Sequence, residues 1–238
     1  RIIEDMKNEA FISKRKKDVT DFLSILSNLS ISYGSVDFKH HLPNDFWGYT
    51  ISNIKFKVDQ SALKHIIPTG FTNVEVIIDL DVESKISEWE KLNDPFCSLN
   101  FRSLIRGTNS KTGKVHYLGF HIDRHNGGKT NEIHPLYHLQ YIQNSKIKPK
   151  EEFDHGETLQ LDVPRMMHLP MELILGVSTI LSNFSPSTYS KLIENRQFVN
   201  LCKDYQEKIW RPYFNSLENF WIKNPMEWDP KLNCPYLV

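Results

Sequence analysis

Between Ile31 and Ile142 apolar residues recur at every second position, and no other feature of the chain restricts its fold as much. Ile54, Phe56 and Val58 alternate with polar residues. So do Val76, Ile78, Leu80 and Val82; then Leu99, Phe101 and Ile105; then Leu118, Phe120 and Ile122; then Tyr137, Leu139 and Tyr141. Successive side chains of a strand point to opposite faces, so each run offers one face to a core and leaves the other polar. Strands buried on both sides would read as unbroken apolar runs. The alternation therefore predicts an antiparallel sheet over a doubly wound parallel one. Turn residues bound the runs: Pro68-Thr69-Gly70, Asn93-Asp94-Pro95, Thr108 to Gly113, and Asn126-Gly127-Gly128. The stretch Ile86 to Leu92, carrying Trp89, reads as a short helix between two strands.

On either side the period changes to that of a helix. Ile2, Ile3, Met6 and Ala10, then Val19, Phe22, Leu23, Leu26 and Leu29, share helical spacing within residues 1–30. The run Lys14-Arg15-Lys16-Lys17 among them reads as a solvated helix face. Ser145 to Glu157 reads as a charged surface loop, and Leu159, Leu161 and Val163 as one more short strand. After Pro164 the pattern is helical. Pro170 suits a first helical turn, and Ser185-Pro186 a cap and first turn. Pro212 should kink or restart the last helix. The expected fold is a single α+β domain: a helix over 1–30, a mostly antiparallel twisted sheet of about five to six strands over 31–163, helices over 164–223 and an irregular tail over 224–238.

Composition narrows the function classes. Lys+Arg and Asp+Glu both number 29, so no global charge marks a nucleic-acid binder or a ligand of acidic membranes. Three separated cysteines with no CxxC pair argue against a thiolate zinc site or a disulfide framework, and for a reducing, cytoplasmic compartment. No apolar run approaches the roughly 18 residues that span a bilayer. Motifs of P-loop NTPases, Rossmann dehydrogenases, GxSxG hydrolases and HExxH zincins are absent, and no cofactor is implied.

The histidines are concentrated. Seven of the ten lie between His116 and His168. Strand parity sets His121 and Asp123 opposite Phe120 and Ile122, and His138 and Gln140 opposite Leu139 and Tyr141. If the two strands form a hairpin, all four polar residues share one face, with cross-strand neighbours about 5 Å apart. His125 and His134 would flank the connecting loop. In a simple meander Asn100 and Arg102, then Asp79 and Asp81, extend that face. Three readings fit: a satisfied hydrogen-bond network, acid–base catalysis on a nucleic acid or nucleotide, or a divalent metal. HxD and HxxxH on strands match no common ligand spacing, since residues four apart on one strand are too distant to chelate alone. No metal is assigned here, and folding is expected without one. Arg165 and His168 stand ahead of an expected helix start, where an anion would be favoured.

The order His-Pro-x-x-His-x-Gln (His134 to Gln140), Pro-Arg-x-x-His-x-Pro (Pro164 to Pro170) and Leu-Ser-Asn-Phe (Leu181 to Phe184) resembles an uncharacterised bacterial protein family associated with mobile or anti-phage defence loci. His116 to Tyr141 is also similar to the TumE-type toxins, which present Asp and paired His on a curved sheet. This chain adds a helical C-terminal third that such toxins lack. The resemblance implies a bacterial cytoplasmic setting and an effector-type role in a defence or toxin system.

The reading of the residues adds an action on RNA or a nucleotide, as a metal-independent ribonuclease or phosphodiesterase. His121, Asp123, His134 and His138 are the acid–base candidates, and Arg102, Gln140, Arg165 and His168 the substrate contacts. The alternative is a non-enzymatic subunit that docks on a partner, or on its own copy, through the C-terminal stripe Tyr213, Phe214, Leu217, Phe220 and Trp221.

Overall fold

The computed structural model describes residues 2–64, 66, 69–91, 94–126, 135–142 and 165–223. Seven strands among them make one antiparallel meander in which each strand pairs with the next in sequence. The strands are β1 (Val36–His41), β2 (Phe46–Lys57), β3 (Phe71–Lys85), β4 (Phe96–Asn109), β5 (Val115–Arg124), β6 (Tyr137–Tyr141) and the two-residue β7 (Met166–Met167). The helices are α1 (Ile2–Asn28), α2 (Ile86–Lys91), α3 (Leu173–Phe184), α4 (Pro186–Glu194), α5 (Arg196–Tyr205) and α6 (Arg211–Lys223). The α+β class expected from the change of period is the one observed. The two strands beyond the expected runs are the edge strands, where little is buried and alternation is faint: most of β1 is exposed, and so are both residues of β7. The strand expected over Leu159–Val163, the loop over Ser145–Glu157 and the tail over 224–238 lie outside the described residues.

One face of the sheet supplies the core. Ile78, Leu80, Val82, Leu99, Phe101, Ile122 and Tyr137 are buried there together with Leu173, Ile174, Val177 and Leu181 of α3. A bulge in β2 keeps the pattern in phase. Ile51 pairs with Leu80 and Ile54 with Ile78, so Ser52 and Asn53 together oppose Asp79. Asn53 takes a left-handed conformation (φ 56°), and its N–H donates to Asp79 Oδ1 at 3.0 Å. The extra residue puts Ile51 and Ile54 on the same buried face, which strict alternation would not.

Helix α3 lies close against the sheet because residue 176 has no side chain. A Cβ there would sit 2.5 Å from the Phe101 ring, and Phe101 is fully buried. The helix starts later than Pro170 suggests. Glu172 is its N-cap and accepts from Leu175 N–H at 2.8 Å, while Tyr49 OH donates to the other carboxylate oxygen at 3.2 Å. Ser185-Pro186 does open α4, but the orphan N–H of Ser187 is met by Asp59 Oδ2 at 2.7 Å. Ahead of Pro212 the chain makes a π-helical turn, Gln206–Trp210, in which Arg211 N–H reaches Gln206 O; the helix runs on into α6 without breaking.

Arg15 departs from the expected solvated face. It is buried, its guanidinium 3.2 Å from both Asp18 and Asp204 and 5.0 Å from the Tyr205 ring centre, with Phe11 and Trp89 also beneath it. Arg15 thereby ties α1 to α5. Among the described residues no helix is long and apolar enough to cross a membrane.

Two predictions follow from this packing. Gly176→Ala gains about 1 kcal/mol of helix propensity but forces a methyl into a ring that cannot yield, at about 1–3 kcal/mol. The clash should prevail: the melting temperature should fall by roughly 2–6 °C, read by thermal denaturation. Glu172 is completely enclosed, and burial pushes its carboxyl up to about 7 against hydrogen bonds from Leu175, Ile174 and Tyr49 that pull it down. Its folded value lies above its unfolded one, so the folded state holds the proton more tightly. This contribution is fully present below the ordinary value of 4.5 and is lost as pH rises to about 7. Glu172→Gln should remove on the order of 3 kcal/mol of that pH dependence, measured by urea unfolding at pH 4.5 and 8. Asp18 and Asp94 are also raised, first by burial, so the difference between the two proteins isolates Glu172.

Candidate functional site

The face of the sheet opposite the α3 core carries two polar rows that run across the strands. In one, Asp79 pairs with Arg102, Arg102 with His121, and His121 with Gln140. In the other, Asp81 pairs with Asn100, Asn100 with Asp123, Asp123 with His138, and His138 with Met167. His121, Asp123, His138 and Gln140 therefore project from one face. The parity of β5 and β6 places them there, as does the register that sets Asp123 directly across from His138.

Asp123 is the centre of the group. Its Oδ1 lies 2.8 Å from His138 Nε2 and its Oδ2 3.4 Å from His121 Nε2. The two imidazole rings are 6.3 Å apart and steeply inclined to one another. Burial differs along the group: His138 and Gln140 are enclosed, whereas His121 and Asp123 keep about a quarter of their side-chain surface, 24% and 28%, open to solvent. Burial alone would raise the Asp123 carboxyl. The His138 contact, and then the charges of His138, His121 and Arg165, outweigh it and hold the carboxyl below its ordinary value. Asp123 is thus an anion wedged between two imidazoles. One imidazole is partly open to solvent and the other is buried.

The other expected residues are distributed around this centre. Arg102 is half-buried directly across from His121. Arg165, just ahead of β7, lies close enough for its charge to act on Asp123. His168 is used elsewhere: its N–H donates to Tyr137 O at 2.9 Å and its Nδ1 is 3.0 Å from Leu169 O, which fixes the turn that leads to α3. The anion site expected at that helix start is already occupied, because the Glu172 carboxylate caps α3. Asp79 is likewise engaged by the β2 bulge. His134 lies outside the described residues.

Sequence reasoning missed the clamp that positions the hairpin. Arg124 Nε donates to Asp94 Oδ2 at 3.0 Å, and Tyr137 OH donates to Asp94 Oδ1. Arg124 and Tyr137 are themselves a cross-strand pair of β5 and β6. One carboxylate in the turn before β4 therefore pins both strands that carry the histidines. Asp94-Pro95 had been visible only as a turn signal.

Sequence reasoning also set metal ligation aside because it considered spacing within one strand. Across strands, one ligating atom each from His121, Asp123 and His138 lies within 4.8 Å of the others. The group can therefore do two kinds of chemistry. An imidazole backed by a carboxylate can move a proton to or from a substrate group, and two nitrogens with one oxygen can ligate a divalent ion.

Compared with protein-family profiles, with curated proteins and with solved structures, the chain matches none of them.

Proposed function

We propose that the polar sheet face is an acid–base site acting on the phosphodiester of an RNA or a nucleotide. The observation that carries this reading is the bridging position of Asp123, 2.8 Å from one imidazole and 3.4 Å from the other, with Arg102 paired across from His121. His121 is the ring open to solvent, so it is the group that can touch a substrate. In the proposed reaction its Nδ1 takes the proton from a ribose 2′-hydroxyl while Nε2 faces Asp123, the freed oxygen attacks phosphorus, and the 5′-oxygen leaves and is protonated from solvent. The products are a 2′,3′-cyclic phosphate and a 5′-hydroxyl. Asp123 and the buried His138 act as positioning residues that orient His121 and stabilise its protonated form. Arg102 and Arg165 contact the non-bridging phosphate oxygens, where a planar guanidinium fits two at once. The wider role, an effector of a prokaryotic defence or toxin system, rests on the resemblance of the histidine segments.

The test is cleavage of a labelled single-stranded RNA in chelator. His121→Ala should lower kcat by about 10²–10⁴, while Arg102→Ala should mainly raise KM. His121→Ala protein that keeps its circular dichroism and cleaves like wild type would sink the reading.

A second reading, docking through the C-terminal helices, is favoured by Phe214 and Ile222 of α6, which are 51% and 67% exposed. The side chains of Phe220 and Trp221 lie outside the described residues. This reading expects self-association in light scattering that Phe214→Ser weakens. A stable monomer that binds no partner would end it.

A further inference from the structure

Three candidates stand outside the proton-transfer reading: the buried charges around Arg15, the exposed apolar side chains of α6, and the convergence of ligating atoms at Asp123. In the first, Arg15 is ion-paired to Asp18 and Asp204 inside the fold, and nothing in it points to a ligand. Nothing in the structure shows what would cover the second. The third carries an inference.

His121 and Asp123 are two residues apart on β5, so their side chains leave the same face with one residue between them. His138 stands on β6 directly across from Asp123. The donors are two imidazole nitrogens and one carboxylate oxygen, all within 4.8 Å of one another. Metal–ligand distances of about 2.0–2.1 Å in a tetrahedron put neighbouring ligand atoms roughly 3.3–3.4 Å apart. His138 Nε2 lies 2.8 Å from Oδ1 and His121 Nε2 3.4 Å from Oδ2, and one ligating atom from each of the three residues falls within 4.8 Å of the others, so small side-chain adjustments would bring the donors to that spacing. Asp123 Oδ1 is buried, with His138 Nε2 2.8 Å away. Strand pairing, held by the Asp94 clamp, presets this geometry, so an ion would be added to a site already formed.

We infer that His121, Asp123 and His138 form a binding site for a divalent transition-metal ion of the zinc, cobalt or nickel type, with its fourth position open. Two neutral imidazoles and a carboxylate suit such borderline ions better than magnesium or calcium, which prefer all-oxygen shells. The loaded group carries one net positive charge, with Arg165 acting on Asp123 and Arg102 across from His121. The open position should therefore take water or an anionic oxygen, such as that of a phosphate. The inference rests on the proposed acid–base reading in one respect: a bound ion consumes the His121 lone pair, so it should suppress cleavage that depends on His121 as a base.

The test uses chelator-treated full-length protein titrated with Co²⁺, followed by visible absorption, and with Zn²⁺, followed by equilibrium dialysis. Wild type should bind about one ion per chain. His138→Ala should weaken binding at least about tenfold, and His40→Ala, an exposed histidine on the far edge strand β1, should leave it within about twofold. If the buried His138 variant does not fold, His121→Ala, at a partly open position, replaces it. Absence of saturable binding, or binding unchanged in a folded His121 or His138 variant, overturns the site. The RNA assay on the same samples separates the two proposals. Binding together with loss of cleavage supports both. Binding with no cleavage in either form leaves the metal site and removes the acid–base function. Cleavage that appears only on loading leaves the metal site and overturns the role of His121 as base. Cleavage in chelator with no binding does the reverse.

Discussion

A slip of β6 by one residue against β5 would carry His138 and Gln140 to the helix-covered side and put Tyr137 and Leu139 on the open one. The structure resists that slip at Asp94. Tyr137 is fully buried with its hydroxyl on Asp94, and Asp94 also holds Arg124, the residue paired with Tyr137 across the hairpin. Breaking this register would bury two polar side chains in an apolar layer and strand a carboxylate that is itself largely enclosed. Everything proposed for the open face depends on this. Asp123 bridges two imidazoles only while Asp123 and His138 remain opposite one another.

The rest of the molecule holds the sheet in the shape that makes such a register possible. The glycine at 176 lets α3 approach until Phe101 fills the gap, and the left-handed Asn53 lets β2 absorb an extra residue without turning its apolar side outward. Neither device touches the histidines. Both determine where the strands that carry them lie. The result is a layered division, with helices and apolar side chains on one side of the sheet and titratable groups on the other.

How much of this is legible in the sequence depends on the range of the interaction. Parity is local: Phe120 and Ile122 against His121 and Asp123 declare their faces without knowledge of any other strand, and the simple meander assumed for the strands is the order observed. The α+β class and the shared face of the histidines were therefore readable. Contacts between distant segments were not. Asp94 looks like half of a turn until Tyr137, 43 residues later, is found on it. Arg15 looks like one charge in a basic run because its partner Asp204 is 189 residues away. The convergence at Asp123 was missed for a related reason. Spacing along one strand was considered, whereas the third ligating atom comes from the strand beside it. Pro170 misled because proline before a helix and proline in its first turn look alike until Glu172 is seen to cap α3.

The distance between Arg15 and Asp204 along the chain also orders events in time. The sheet from β1 to β6 is built from neighbours, so its pairings can form as the chain lengthens. The first helix cannot settle so early. Its buried guanidinium needs the carboxylate of α5 and the ring of Tyr205, and both belong to the last helical region. On a ribosome that releases the chain from its amino end, α1 is made well before α5 and cannot complete its Arg15 contacts until α5 follows. Until then it presents Val19, Phe22 and Leu26 to its surroundings. Among the described elements α1 is therefore the one parted longest from its buried partner, and a stretch of the nascent protein in need of shelter.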